Sequence, residues 1–380
     1  MKWVKKAIAL CLTLVLCLVC VKRQAVKAIE ASAKAYALIN VDTLQVLAAG
    51  NAHKRLPMAS TTKIMTALIL AELNTPEKEI VTTKEMVTVE GSSMGLKVGD
   101  CVSYYELLVG MLLPSGNDAA NTAAICVAGS VEKFAGLMNE KAKQLGMSNT
   151  HFVTPSGLDA KDHYSTAYDM ALLAAYALKN DTIREICSKE KITVTFGNPP
   201  YQRTLYNHNK LLERYDYCIG VKTGFTKKSG RCLVSAAEKD GCRVIAVTLN
   251  DPDDWNDHEK LLDYGLSSVK NVDITKPLPF DTVKVVGSEK ELVSVAAPRC
   301  YCGGNDGLSS DVTVKYTVKP FVYAPIKSGQ TVGTVEYYYG GRLLRSTDII
   351  TLESVDLKAY TPSFFERFKN YFNILLKCFV

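Results

Sequence analysis

The chain has 380 residues, of which 47% are hydrophobic and 22% charged, and its formal net charge is +6. This is ordinary globular composition, and the length is sufficient for two domains. The positive charge is modest and forms no basic stripe with interleaved aromatic residues, so the sequence argues against nucleic-acid binding. The 12 cysteines show neither a disulfide framework nor metal-site spacing, and we expect thiols, no metal and no other cofactor.

The N-terminal segment predicts export. Basic residues precede an apolar stretch at residues 7–21 and small residues follow it, which is the pattern of a secretory signal peptide. We assign the signal to residues 1–33, with cleavage near 28–33, and expect the mature protein at the extracytoplasmic face of the cell membrane or in the cell wall. An uncleaved anchor is the alternative, because Lys22-Arg23 is an unusual flank for cleavage.

The segment from 34 to 268 predicts one α/β (α+β) domain. Tyr36–Asn40 and Leu44–Leu47 flank a short turn and predict a hairpin, after which helical patterns dominate. Strand patterns return at Gly220–Gly224, Leu233–Ala236 and Val244–Thr248. Because strands from both ends of a domain can close one antiparallel sheet around a helical middle, we expect that arrangement here.

The sequence after residue 268 predicts a small all-β domain at 275–355 and a terminal amphipathic helix at 361–380. Alternating apolar residues between Val312 and Val318 are typical of a strand, and Ser363 with Glu366 resembles a capping box. One face of the helix carries Phe364, Phe365, Phe368, Phe372, Leu375, Leu376 and Phe379. We expect this face to lie in a membrane surface; docking against its own protein is the alternative.

Three short motifs occur in an order suited to acyl transfer through a serine ester: Ser-Thr-Thr-Lys at 60–63, Ser-Gly-Asn at 115–117 and Lys-Thr-Gly at 222–224. Each is weak alone, and Ser-x-x-Lys also begins at Ser130, Ser188 and Ser267. Only the first copy opens a helix that is apolar nearly all round, as expected in the centre of a domain. Ser60 is therefore the candidate nucleophile.

Lys63 lies three residues after Ser60, so both side chains share one helix face. Burial among apolar groups disfavours the ammonium form and lowers a lysine pKa towards the range of a general base. A position near a helix N-terminus also stabilises negative charge at Ser60. The structural alternative is an N-cap serine followed by a lysine that extends to solvent.

The other two motifs supply groups for a peptide substrate. Pro114 ends the preceding helix pattern, so residues 115–117 are predicted to form a short loop. From this loop the Ser115 hydroxyl can relay a proton to a leaving amine, and the Asn117 amide can hold a carbonyl, although helix capping is an equally simple explanation. Lys222 and Thr223 on a strand offer a cation and a donor to a carboxylate, while Gly224 permits close approach of another backbone. The predicted substrate is a peptide cut near its C-terminal carboxylate.

A rival motif, Gly-x-Ser-x-Gly at 91–95, would make Ser93 a nucleophile. It follows a strand-like run at Val87–Val89, but no helix pattern follows the motif. Since a strand-to-helix turn is what exposes such a hydroxyl, we consider Ser93 the weaker candidate. The histidines have no metalloprotease spacing.

Taken together, the motifs resemble those of penicillin-binding, serine-type D-alanyl-D-alanine carboxypeptidases of the low-molecular-mass group (peptidase family S11), whose members carry a C-terminal β domain and an amphipathic anchor. The resemblance covers nearly the whole chain. Further segments that look like this family are Gly91–Met94, Leu96–Asp100, Pro114–Ala120, Asn149–Phe152, Gly157–Leu158, His163–Ala167 and Lys260–Gly265. It implies a penicillin-recognising serine transpeptidase/β-lactamase-like catalytic domain and removal of the terminal D-alanine from peptidoglycan stem pentapeptides, with β-lactams as covalent inhibitors.

The resemblance also implies roles for single residues. Ser60 would be the acyl-ester nucleophile and Lys63 its base, while Ser115 and Asn117 would assist proton transfer and substrate positioning. Backbone N–H groups of Ser60 and Phe225 would form the oxyanion hole.

At the third motif, the resemblance implies that Lys222 and Thr223 hold the terminal carboxylate, with Gly224 and Phe225 also in the substrate site. Phe225 stands where some members carry histidine, and His208 where some carry arginine. These two differences from the family pattern bear on the substrate affinity and the reaction rate, and not on the class of reaction.

Two other functions remain open at this stage. A β-lactamase uses similar motifs, but the family known for it has Ser-Asp-Asn at the second motif, where this chain has Gly116. A non-catalytic peptidoglycan-binding or penicillin-sensing protein would form no ester at Ser60. The sequence also leaves open whether water or an amine resolves the acyl-enzyme, and we expect hydrolysis.

Overall fold

The computed structural model describes residues 28–359 and 363–378. Most of the predicted signal peptide and the end of the predicted terminal helix lie outside the described residues. The chain divides into two compact units: the first runs to Asn271 and includes Gly303–Asn305, and the second contains Val272–Cys302 and the chain from Asp306 onwards.

The strands, in chain order, are β1 (Ala35–Asn40), β2 (Val46–Gly50), β3 (Glu79–Val81), β4 (Cys101–Ser103), β5 (Lys191–Gly197), β6 (Pro200–Tyr206), β7 (Cys218–Thr226), β8 (Gly230–Lys239), β9 (Cys242–Leu249), β10 (Lys270–Asp273), β11 (Thr282–Val286), β12 (Leu292–Ala296), β13 (Tyr301–Gly304), β14 (Thr313–Val318), β15 (Phe321–Tyr323), β16 (Thr331–Tyr339) and β17 (Arg342–Thr351). The helices are α1 (Lys63–Glu72), α2 (Lys84–Val87), α3 (Tyr104–Leu112), α4 (Asn117–Ala128), α5 (Val131–Gln144), α6 (Ala167–Ala177), α7 (Asp181–Cys187), α8 (Leu211–Arg214), α9 (Asp254–Ser268), α10 (Leu308–Asp311) and α11 (Phe364–Cys378).

A five-stranded antiparallel sheet in the order β2-β1-β9-β8-β7 forms the centre of the first unit. Strands from the two ends of this unit meet in it, as expected from the sequence, because β1 pairs with both β2 and β9. Every residue of β1 is buried, since apolar clusters lie on both faces of the sheet. The last strand in the order, β7, is an edge strand of this sheet.

The helical part of this unit surrounds α1. Residues 63–70 of α1 are all buried, which explains why this segment is apolar nearly all round. Ser103 caps α3 by accepting a hydrogen bond from the backbone N–H of Glu106, whose carboxylate accepts from the backbone N–H of Ser103. A separate four-stranded sheet, β3-β4-β5-β6, completes the unit.

The second unit contains a six-stranded sheet in the order β14-β16-β17-β12-β11-β15. Its strands bury alternate residues: in β11 and β12, Val283, Val285, Val293 and Val295 are buried. The predicted strand near Val312–Val318 is present as β14, and Thr331–Tyr339 forms the strand β16. A separate two-stranded sheet pairs β10 with β13.

Two local predictions were wrong. The strand-like run at Val87–Val89 begins with the last residue of α2 and contains no strand. Asn117, predicted in a loop, is the first residue of α4.

The helix α11 begins after Ser363, whose backbone N–H donates to Glu366 Oε2, while Ser363 Oγ accepts from the Glu366 N–H. The predicted capping box is therefore present. Large exposed apolar residues of α11 are Phe364, Phe365, Phe368, Tyr371 and Ile374. In the described part of the chain, none of the helices has the length and apolar character needed to traverse a bilayer.

Candidate active site

Ser60 lies in a one-turn 3₁₀ helix, Ala59–Thr62, which continues directly into α1 at Lys63. Ala59 has a positive φ of 48°, and the carbonyl of Ala59 approaches Gly157 so closely that a β-carbon on Gly157 would lie 1.9 Å from it. The turn is thus held against the chain at Gly157, and only glycine fits there.

Lys63 is completely buried beneath Ser60. Its Nζ lies 2.9 Å from Ser60 Oγ, 2.6 Å from Asn117 Oδ1 and 2.6 Å from the Ser156 carbonyl oxygen. Three acceptors match the three N–H groups of an ammonium. When the amine is neutral, two N–H groups satisfy Asn117 and Ser156, and the lone pair can accept the Ser60 proton.

The electrostatic surroundings favour that neutral form. Burial, followed by the positive charge of Lys222, lowers the pKa of Lys63 well below its ordinary value, while Asp118 acts in the opposite direction. The 2.9 Å distance between Lys63 Nζ and Ser60 Oγ is within the reach required of a general base. The lowered pKa favours the neutral amine, which is the form that can accept a proton.

Ser115 and Asn117 lie at the N-terminal end of α4, where Ser115 lines the same cleft as Ser60 and Asn117 contacts Lys63. Ser115 is 4% exposed and has a φ of 65°, an uncommon conformation for serine that projects it from the turn before the helix. Asn117 is fixed through its backbone and its side chain: its N–H donates to the Ser92 carbonyl at 2.7 Å, and its Nδ2 donates to the Glu90 carbonyl at 2.7 Å.

Asp118 is a buried organising residue that the sequence did not reveal. Its carboxylate accepts hydrogen bonds from five donors: Ser93 Oγ and the backbone N–H groups of Met94, Gly95, Leu96 and Ala119. The carboxylate therefore determines the path of the loop at 93–96. The hydroxyl of Ser93, the rival nucleophile, is bonded to this carboxylate in a loop with no following helix, so the nucleophile-elbow geometry is not present.

The third motif lies on β7. Lys222 is 1% exposed, and its Nζ donates to the Thr223 carbonyl oxygen at 3.1 Å. Burial lowers the pKa of Lys222 to about 7, against a smaller opposing effect of Cys187. A β-carbon on Gly224 would lie 3.0 Å from the backbone nitrogen of Ser60, so a glycine is what allows β7 to pass beside the nucleophile turn.

A cleft of about 420 Å³ opens above these groups. It is lined by Ser60, Ser92, Ser115, His208, Thr223, Gly224, Phe225, Arg231, Asp254 and Trp255. Among the predicted site residues, Lys63, Asn117 and Lys222 are buried beneath this lining. The structure thus brings all three motifs together, and it adds Arg231, Asp254 and Trp255, which no motif indicated.

The two histidines near the site differ in position. His208 lines the cleft, and burial, followed by the charges of Lys222 and Lys63, lowers its pKa. His163 is buried, and burial is the main cause that lowers its pKa to about 4. A neutral His163 accepts the Val153 N–H at Nδ1 and donates from Nε2 to Thr62 Oγ1, which stabilises the nucleophile turn.

Comparison with known proteins identifies the family. The model of peptidase family S11, D-alanyl-D-alanine carboxypeptidase, matches residues 22–253, and the model of the C-terminal domain of penicillin-binding protein 5 matches residues 279–357. The chain belongs to the D-alanyl-D-alanine carboxypeptidase family. This confirms the resemblance, the fold class and the enzyme class that the sequence predicted.

Individual members of the family match over most of the chain. The D-alanyl-D-alanine carboxypeptidase DacC of Escherichia coli is 36% identical over 362 residues, which cover 88% of this chain and 86% of DacC. The structure of penicillin-binding protein 5 from Haemophilus influenzae has a TM-score of 0.62 at 27% identity, covering 87% of this chain and all of that chain. The Streptomyces K15 DD-transpeptidase has a TM-score of 0.61 at 32% identity, covering 64% of this chain.

Proposed function

We propose that this enzyme removes the terminal D-alanine from peptidoglycan stem pentapeptides through an acyl-enzyme at Ser60. The observation that carries the proposal is the 2.9 Å contact between the buried amine of Lys63 and Ser60 Oγ. A base in this position can take the hydroxyl proton as Oγ attacks the carbonyl of the penultimate D-alanine.

The proton then has a short route to the leaving group. Lys63 accepts the Ser60 proton, Ser115 donates its own proton to the departing amine of the terminal D-alanine, and Ser115 is reprotonated from Lys63. Backbone N–H groups of Ser60 and Phe225 stabilise the oxyanion, and Asn117 holds a substrate carbonyl or amide. Water then attacks the ester, with Lys63 again as base, to release the tetrapeptide and restore Ser60.

The cyclic amide of a β-lactam offers a carbonyl to the same nucleophile. We therefore expect β-lactams to acylate Ser60, and penicillin-binding protein 5, named for this property, is a structural relative. The acyl-enzyme retains the opened ring, so the reaction blocks the site. Slow deacylation separates this behaviour from that of a β-lactamase.

The remaining parts of the proposal concern location and domains. We infer a signal peptide at 1–33, a catalytic domain at 34–268, a β domain at 275–355 and a membrane-surface helix at 361–380. Export agrees with a cell-wall substrate, and the exposed aromatic residues of α11 suit the boundary between headgroups and acyl chains.

The first experiment measures free D-alanine released from a peptide ending in Lys-D-Ala-D-Ala by the mature chain and by its Ser60→Ala variant. Release that disappears in the variant supports the proposal. Folded wild type that releases no D-alanine and forms no penicillin adduct would point to a binding or sensing protein. Cross-linked dimers as the main product would indicate transpeptidation, and rapid turnover of a chromogenic cephalosporin would indicate a β-lactamase.

A further inference from the structure

Arg231 lies on the wall of the cleft, beside the third motif. In the β7–β8 ladder it is directly opposite Phe225, so both side chains leave the same face of the sheet. Thr223, two residues before Phe225, shares that face. Thr223 and Arg231 are diagonal neighbours in the ladder, a relation that spans about 7–8 Å between α-carbons and is within reach of an arginine side chain.

The guanidinium of Arg231 is held in place by Asp254 and Trp255. Arg231 Nε and Nη2 both donate to Asp254 Oδ1, at 2.9 and 2.5 Å, and the guanidinium carbon lies 5.3 Å from the centre of the Trp255 ring. These bonds use two of the five N–H groups of an arginine. Because the side chain of Arg231 is 42% exposed while that of Asp254 is 4% exposed, the anchor is buried and the guanidinium still reaches the cleft.

The other basic groups near the nucleophile are poorer partners for a substrate anion. Lys63 and Lys222 are buried beneath the lining, and burial lowers the pKa of each. His208 lines the cleft, but burial and both lysines lower its pKa. Among the described residues of the cleft lining, Arg231 is the one lysine or arginine, and its side chain is 42% exposed, so an anion in the cleft can reach it.

We propose that Arg231 binds the C-terminal carboxylate of the substrate together with Thr223, and that Asp254 and Trp255 are its positioning residues. The proposal rests on the carboxypeptidase function above and assigns its carboxylate specificity to a residue outside the three motifs. The buried Lys222 then acts mainly on the pKa of Lys63, which its positive charge lowers after burial itself. Arg231 offers a carboxylate two parallel N–H donors, which a lysine cannot do.

The test compares two substrates of the mature enzyme: a peptide ending in D-Ala-D-Ala with a free carboxylate, and the same peptide as its C-terminal amide. For Arg231→Gln we expect KM for the acid to rise roughly 10- to 100-fold with little change in kcat, as for loss of a hydrogen-bonded charge. Kinetics on the amide should hardly change, so the preference for the acid disappears. Arg231→Lys should recover part of it.

Two further variants make the result specific. Arg184→Gln removes an arginine of similar exposure, 41%, which pairs with Asp181, and it should leave both substrates unaffected. Arg231→Gln with Asp254→Asn avoids leaving a buried carboxylate unpaired, and it should still lack the acid preference in a folded protein. An unchanged acid-to-amide ratio in Arg231→Gln would overturn the proposal, whereas failure of wild type to cleave either peptide would overturn the carboxypeptidase function itself.

Discussion

Gly224 lies against the nucleophile turn so closely that a β-carbon there would be 3.0 Å from the backbone nitrogen of Ser60 and 3.1 Å from the carbonyl oxygen of Met58. Both neighbours are backbone atoms, which cannot rotate away. The distance between β7 and Ser60 is therefore set by the absence of a side chain at residue 224.

Replacing Gly224 by valine should displace β7 from the nucleophile turn. We expect kcat/KM for D-alanine release to fall by about 100-fold or more, because small displacements of reacting groups are costly. Gly136→Ala is the control, since Gly136 is an exposed position of α5 where a β-carbon would meet no neighbouring group within 4 Å, and it should retain full activity. Full activity in Gly224→Val would show that the close approach has no catalytic importance.

The charge of Lys222 should control the pH dependence through Lys63. Lys63 acts as a base only when neutral, so activity rises with pH through its pKa, which burial and, after it, the positive charge of Lys222 lower. Lys222→Gln removes that charge, raises the pKa of Lys63 and should move the acidic limb of the kcat/KM profile to higher pH. Lys222→Arg keeps the charge and should leave the limb near its wild-type position. A limb that stays in place in Lys222→Gln contradicts the coupling.

Asp118→Asn should destabilise the protein by about 2–4 kcal/mol, because an amide nitrogen would face donors that now meet a carboxylate oxygen. The carboxylate is 1% exposed and receives five hydrogen bonds. Urea unfolding measures the change. Asp240→Asn, in an exposed turn with a φ of 51°, should shift stability by less than about 0.5 kcal/mol. Equal effects of the two substitutions would refute this role of Asp118.

The terminal helix should bind anionic vesicles through its exposed aromatic face. Phe365 is 83% exposed and Phe368 is 61% exposed. Replacing either residue by glutamate should weaken vesicle binding about tenfold or more. Sedimentation with vesicles measures the effect. Tyr201→Glu and Tyr206→Glu, which alter residues of β6 that are 51% and 61% exposed, should leave binding unchanged. Vesicle binding that survives both phenylalanine substitutions would favour docking of the helix on protein.

The sequence alone determined the order of the three motifs, the buried helix after Ser60 and the alternation of the β domain. These are local properties: Ser60 and Lys63 share a helix face because they are three residues apart, and residues between Val312 and Val318 alternate because a strand has a period of two. The family resemblance followed from such segments, and the family match confirms it.

Only the tertiary structure decided what surrounds these groups. The partners of Lys63 include Asn117 and Ser156, 54 and 93 residues away in the sequence, and one of the contacts is to a backbone carbonyl that any residue could supply. The bonds of Asp118 to the loop at 93–96 and of Arg231 to Asp254 likewise join distant segments. Packing brings these atoms together, and the burial that results lowers the pKa of Lys63 and of Lys222. Periodicity and motif spacing describe neighbours in the sequence, so they could not reveal these long-range contacts.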